Sequence, residues 1–297
     1  MKTVYGVGLV LLALVTGCAG RQAAWEGKAE QAAVVDEAAV AKAAELAAQG
    51  DEAWKTRGDV EKLKEALAKW EEASKTAPSM DTYVKLSRGY YFYAESAFSL
   101  DKSKQAEMLA TYDLGTKAGE QAVAASSPDF VKAVKGGAKW EEAVKSTDEK
   151  SVPALYWYAS NLGKWARAQG FTVVLSNRDR IKATMTQCLR ANPDYFYAAP
   201  HRYFGAYYSV APAFAGGDVD KSKSHFEESL TRAPSYLATK VLMADVYATK
   251  KQDRALFEKL LKEVLAADAT TDPEIVPEQE LEKKKAEDLL KRAEDLF

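Results

Sequence analysis

The sequence predicts an all-α fold, a solenoid of helical hairpins with long loops between helices. Three observations carry that expectation. Alanine-rich, charged segments favour helix, strand-type alternation is almost absent, and one side-chain spacing recurs along the chain. Residues 19–49 are rich in alanine and charge and lack proline, which predicts a short tether and then a helix that stops at Gly50. Farther on, a small residue, a large apolar one, a small one and a proline recur at offsets 0, +4, +7 and +12. The first three share a helical face and the proline ends the helix. Ala66, Trp70, Ala73 and Pro78 fit this spacing best, and Ser222, Phe226, Ser229 and Pro234 nearly as well. Ile181, Met185, Cys188 and Pro193 keep the spacing with a larger first residue. "NLGKW" (161–165) and "FGAYY" (204–208) supply partner helices for the last two. "APAFAGGD" (211–218), with Pro212 and Gly216-Gly217 as breakers, reads as an inserted hairpin loop. "GFTVVLS" (170–176) holds the chain's only β-branched run, too short and isolated to found a sheet, and reads as a lengthening of the preceding hairpin loop.

The spacing resembles that of tetratricopeptide-type repeats. Such hairpins cannot bury their apolar faces singly, so they stack into a solenoid that carries a groove.

The first residues, "MKTVYGVGLVLLALVTGCAG", differ in kind. Lys2 gives a positive start, Val7 to Val15 an apolar run too short to span a bilayer, and Thr16-Gly17 a small-residue cleavage site before Cys18. A cysteine placed directly after small residues resembles the lipobox of bacterial lipoproteins, in which the thiol is acylated and the signal is cut before it. The chain then divides into a cleaved signal (1–17), a lipidated N-terminus with an Ala-rich tether or helix (18–49), and a repeat domain (50–297). Several acyl chains give lasting attachment where one is marginal. Ala19 follows the cysteine in place of the aspartate that retains many lipoproteins at the inner membrane, which favours the outer membrane, facing the periplasm. With Cys18 committed to lipid, Cys188 has no disulfide partner within the chain. Its register makes it a buried core thiol.

The stretch "YFYAAPHRYFGAYYSVAPAFAGGD" (195–218) concentrates aromatic rings. At 100° per residue, Tyr203, Tyr207, Phe204 and Tyr208 fall at about 0°, 40°, 100° and 140°, with Gly205, Ala206 and Ser209 opposite. That arc is wider than the roughly 100° stripe of one buried face. Two readings stay open. All these rings are core filling, or some of Tyr195, Tyr197, Tyr203, Tyr207 and Tyr208 line a groove with His201 at its edge.

No catalytic or nucleic-acid signature stands beside these features. The net charge of −2 comes without a basic block, so nucleic acid is not an expected partner. The chain lacks G-x-x-x-x-G-K-[ST], H-E-x-x-H and G-x-S-x-G. His201 and His225, far apart in sequence, form no pair on one helix, and His225 with Glu228 reads as helix surface. Glu71-Glu72 and Glu141-Glu142 are adjacent pairs that diverge by about 100° on a helix and read as solvated faces. Asp218-x-Asp220 is too short a motif to specify a cation site. Neither an enzyme nor a cofactor nor a bound metal is expected.

Several blocks resemble the TatT family, the T-component lipoproteins of tripartite ATP-independent periplasmic (TRAP) transporters. They are "VPALYWYASNLGKWA" (152–166), "NPDYFYAAPHRYFGAYYSVAPAFAGGDVDKSKSHFEESL" (192–230) and "YATKKQDRALFEKLLKEVLA" (247–266). The matching motifs are Leu155-Tyr156-Trp157, the segment up to His201, Gly216-Gly217-Asp218, His225-Phe226-Glu227, and Gln252-Asp253-Arg254 with Phe257. The resemblance implies an acylated periplasmic protein of tetratricopeptide-like fold. It also implies docking to a solute-binding protein, homo-oligomers with a central pore, and passage of a hydrophobic solute. Tyr156 and Trp157 thereby join the candidate groove residues. The alternative is a scaffold lipoprotein whose groove binds peptide segments during envelope assembly.

Overall fold

The structure, a computed structural model, describes residues 23–26 and 36–297. The expected signal segment and Cys18 lie outside the described residues. The described residues contain helix and no strand. In chain order the helices are α1 (Glu37–Trp54), α2 (Val60–Thr76), α3 (Met80–Ala97), α4 (Gln105–Ser126), α5 (Pro128–Lys135) and the single turn α6 (Trp140–Ala143). Next come α7 (Val152–Gln169), α8 (Phe171–Ala191), α9 (Tyr195–Val210) and α10 (Val219–Arg232). Finally α11 (Leu237–Leu242) runs through a π-helical segment (Met243–Ala248) into α12 (Thr249–Lys251), followed by α13 (Arg254–Ala266), α14 (Val276–Lys291) and the terminal turn α15 (Ala293–Leu296).

Side-chain caps start many of these helices. Asp36, Asp59, Ser79, Ser127, Asp218 and Asp253 each accept a hydrogen bond from a backbone N–H in the first turn of the helix that follows. The repeated spacing marks core. Ala66, Trp70 and Ala73, then Ile181, Met185 and Cys188, then Ser222, Phe226 and Ser229 are all buried. The helix ends at Thr76, Ala191 and Arg232 each precede the expected proline by two residues. Close approach of α9 and α10 depends on Gly205, where a Cβ would stand 2.7 Å from the ring of Phe226. Ser222 Oγ donates to Gly205 O at 2.7 Å in the same seam.

Three expectations are corrected. Helix α1 does not stop at Gly50 but continues to Trp54, and Gly50 lies inside it against the Trp70 indole. A buried glycine there marks close helix packing, not a helix end. "FTVVLS" is not loop but the first turns of α8, beginning directly after Gly170 (φ 112°). β-branched residues cost a helix only tenths of a kcal/mol each, about 0.7 at most, so a helix anchored by Ile181, Met185 and Cys188 propagates back through them. The N-terminal segment is not wholly tether either. Ala23 and Trp25 are buried, and Trp25 packs on Phe130, Trp140 and Tyr158 with ring centres 5.5, 5.2 and 5.6 Å away.

Each long helix packs on its chain neighbours from α1 to α4, and α4 on α7, α7 on α8, α8 on α9 and α9 on α10. The C-terminal helix breaks that nearest-neighbour rule. Helix α14 packs on α11 and α13, and it also reaches back to the start of the array. Glu278 pairs with Arg57 and Arg88, Lys285 pairs with Glu95, and Leu281 shares a core cluster with Leu63, Leu67 and Trp70.

Candidate functional site: a cavity closed by the C-terminal helix

Helix α14 and helices α3, α4, α7, α9 and α11 line a cavity of about 530 Å³ that is open to solvent. Its wall is part aromatic and part ionic. On the aromatic side the rings form a chain of tilted and edge contacts. Tyr91 meets Trp157 at 5.4 Å, Trp157 meets Tyr156 at 4.9 Å and Phe196 at 4.8 Å, and Phe196 meets Tyr236 at 5.8 Å. Trp157 is fixed by its Nε1–H, which donates to Tyr195 Oη at 3.0 Å.

One ionic end centres on Glu95 of α3. Its carboxylate accepts from Lys164 Nζ and Lys285 Nζ, both at 2.6 Å, and from the Tyr112 hydroxyl. Burial alone would raise the Glu95 pKa, but the two lysines outweigh it and hold the carboxyl well below the usual range. Burial opposes the charge on Lys285, yet Glu282 and Glu95 raise its pKa far above that of a free lysine. Both groups are therefore charged at neutral pH.

The other end centres on Glu278 of α14. Arg57 Nη2 and Nε reach its two oxygens at 2.5 and 3.1 Å, and Arg88 Nη2 reaches Oε1 at 3.2 Å. The Arg88 guanidinium also lies over Phe196, Trp54 and Trp157 at 5.0, 5.2 and 5.9 Å. Its buried Nε has no hydrogen-bond partner. The Arg88 side chain is 30% exposed and lines the cavity, so a cation framed by rings stands at this end of it.

The backbone entering α9 is strained where it meets the cavity. Phe196, Tyr197 and Ala198 have φ of 45°, 60° and 54°, three consecutive left-handed residues without a glycine. Each costs roughly 1–2 kcal/mol. The turn is held by Arg202, whose Nη1 and Nη2 donate to Tyr197 O at 2.9 Å and Phe196 O at 3.4 Å. Tyr197 Oη donates to Asp272 at 2.7 Å, and its ring stacks on Tyr236 at 4.7 Å. The turn delivers the Phe196 ring to the cavity wall.

The structure divides the sequence-predicted residues into three sets. Tyr156 and Trp157 line the cavity. Tyr195 and Tyr197 stand behind it, one fixing Trp157 and the other the left-handed turn. His201, Tyr203, Tyr207 and Tyr208 do not line it. These four are half-buried along another face of α9, where Tyr207 Oη holds Ala215 O at 3.1 Å and Tyr208 stacks on His225 at 5.6 Å. The over-wide arc thus belongs partly to packing against core and partly to surface. Sequence reasoning missed Arg88, Tyr91, Glu95, Phe196, Tyr236 and the α14 charges. One signal was present: "RGYYFYAES" (88–96) sets Arg88 and Glu95 around an aromatic run.

Among the described residues no group of three His, Cys, Asp or Glu side chains converges as a metal site. Comparison with curated proteins gives no match. A sequence profile for the TRAP transporter T-component, TAtT, matches residues 62–297, a span that contains every helix from α3 onward and the cavity they line; the chain belongs to that family.

Proposed function

We propose that this protein is a non-enzymatic, lipid-anchored periplasmic accessory of a TRAP-type system, which docks a solute-binding protein and holds an amphipathic solute in the cavity under α14. The observation that carries the reading is the cavity wall in a chain of this family. Its volume of about 530 Å³ falls in the range that small-molecule sites occupy. A continuous aromatic wall suits an apolar body, and the partly exposed Arg88 side chain suits an acceptor at one end of that body. This refines the expectation of a purely hydrophobic solute. Cys18 supplies the anchor in this reading, and homo-oligomers would align several cavities.

The test pairs two measurements on protein extracted from the envelope in mild detergent. Native mass spectrometry should show a non-covalent small-molecule mass that Trp157→Ala reduces, and affinity capture should retain a solute-binding protein. A bare wild-type mass together with capture of secretin or barrel-assembly components would replace this reading with the scaffold one.

A further inference from the structure

The chain's two histidines, on different helices, meet. His201 of α9 and His225 of α10 stand with their Nδ1 atoms 3.1 Å apart, one donating a hydrogen bond to the other, and their rings 5.3 Å apart at 43°. The spacing is set by rigid neighbours. Ser222 Oγ holds Gly205 O at 2.7 Å and Ser209 Oγ at 2.6 Å, and Phe226 seats against Gly205. Tyr208 and Phe204 flank the His225 ring at 5.6 and 5.4 Å. Burial lowers the pKa of both imidazoles, and for His201 the neighbouring His225 and Arg232 lower it further. The pair is therefore neutral at pH 7, the form that ligates metals.

We infer that His201 and His225 form a binding site for a borderline transition-metal dication such as zinc or nickel, held through both Nδ1 atoms once the proton between them has moved to Nε2 of its ring. Zinc–nitrogen bonds of about 2.0–2.1 Å at a tetrahedral angle place two ligand nitrogens about 3.3 Å apart, close to the spacing found here. Water fills the open positions. Glu228, three residues beyond His225, is not a third ligand as placed, its carboxylate being bonded to Arg232 Nε at 2.7 Å. Arg232 in turn is held by Asp194 at 2.7 Å, so its charge is shared between two carboxylates. Imidazole selects zinc, copper and nickel over magnesium and calcium. The site is separate from the cavity and does not depend on its ligand.

The experiment uses the full chain stripped with a chelator and titrated with zinc chloride or nickel chloride. Equilibrium dialysis should show one saturable site at neutral pH, and the thermal midpoint of the wild type should rise with zinc. His201→Gln and His225→Gln should each weaken binding at least tenfold, with unfolding in chelator confirming that both fold. Binding should also weaken as pH falls below about 6.5, where free imidazole protonates. A wild type without a zinc-dependent thermal shift, or variants that bind as the wild type does, overturns the site.

Discussion

Lys285 Nζ lies 2.6 Å from Glu95 Oε2, a pairing of residues 190 positions apart that ties the last long helix to the third. With side-chain exposures of 20% and 4%, this is an interior ion pair, and truncating the lysine leaves Glu95 to Lys164 alone and Glu282 without its Lys285 bond. Lys285→Ala should destabilise by about 3–5 kcal/mol in denaturant unfolding. The double change Glu95→Gln with Lys285→Met should recover only part of that loss, because Lys164 and Glu282 then lack their partners. Equal loss in the single and double variants would show that the charges themselves contribute nothing.

Acid should expose the same carboxylate. Its folded pKa lies below the ordinary carboxyl value, so the unfolded chain binds the proton more tightly. The resulting stability is present above the unfolded value of about 4.3 and is lost as pH falls towards the lowered folded value. Unfolding midpoints of the wild type should fall steeply below that pH, and Glu95→Gln should flatten the fall.

The histidine pair gives a second and milder window. Both folded pKa values are lowered, so in chelator the stability should decline as pH drops below about 6.5 towards the folded values. His201→Gln should reduce that slope while leaving the acid limb from Glu95 in place.

Arg202 should not tolerate lysine. Its guanidinium holds two carbonyls of the left-handed turn and lies 4.5 Å over Tyr236. An ammonium lacks the planar fork that reaches both. Arg202→Lys should cost about 1.5–3 kcal/mol, the range for buried hydrogen bonds to a charged group. It should also change the emission of Trp157, since Phe196 would leave its side.

Phe204 and Tyr208 separate the two sides of α9. Phe204 is 4% exposed, and its replacement by Ala should destabilise by about 3–5 kcal/mol. Tyr208 is only half-buried, so Tyr208→Ala should cost less than half as much. Comparable losses in chemical denaturation would return the whole arc to the core.

Cys188 should react slowly. The side chain is fully buried, and burial raises its thiol pKa far above the ordinary value. Thiol labelling of the native protein should be limited by unfolding and become rapid in denaturant.

What the sequence made legible was local. A spacing of four and then three residues puts Ala66, Trp70 and Ala73 on one buried face whatever the rest of the chain does. The cavity was not legible because its walls come from distant segments. Nothing near Glu95 announces Lys285, and nothing near Arg88 announces Glu278. The left-handed turn at Phe196 also has no signature, since its stability comes from Arg202 and Asp272, outside the turn. The meeting of His201 and His225 is a case between these. His225 sits beside the buried Phe226, and only the pairing of α9 with α10 brings His201 to it.

The seated Trp25 has a mechanical consequence. Its indole is wedged among Phe130, Trp140 and Tyr158, and the Ala24 amide donates to Glu120 at 3.2 Å. If Cys18 carries lipid as proposed, seven peptide steps separate the acyl group from this wedge. Fully stretched they reach about 25 Å, less than the width of a small domain. The body would then ride on a short leash, with the α5 side held towards the headgroups and a restricted set of orientations. A visiting protein in the periplasm would meet the faces turned away from the bilayer first. Loosening the wedge with Trp25→Ala would lengthen the leash and let the body tumble, without touching the cavity.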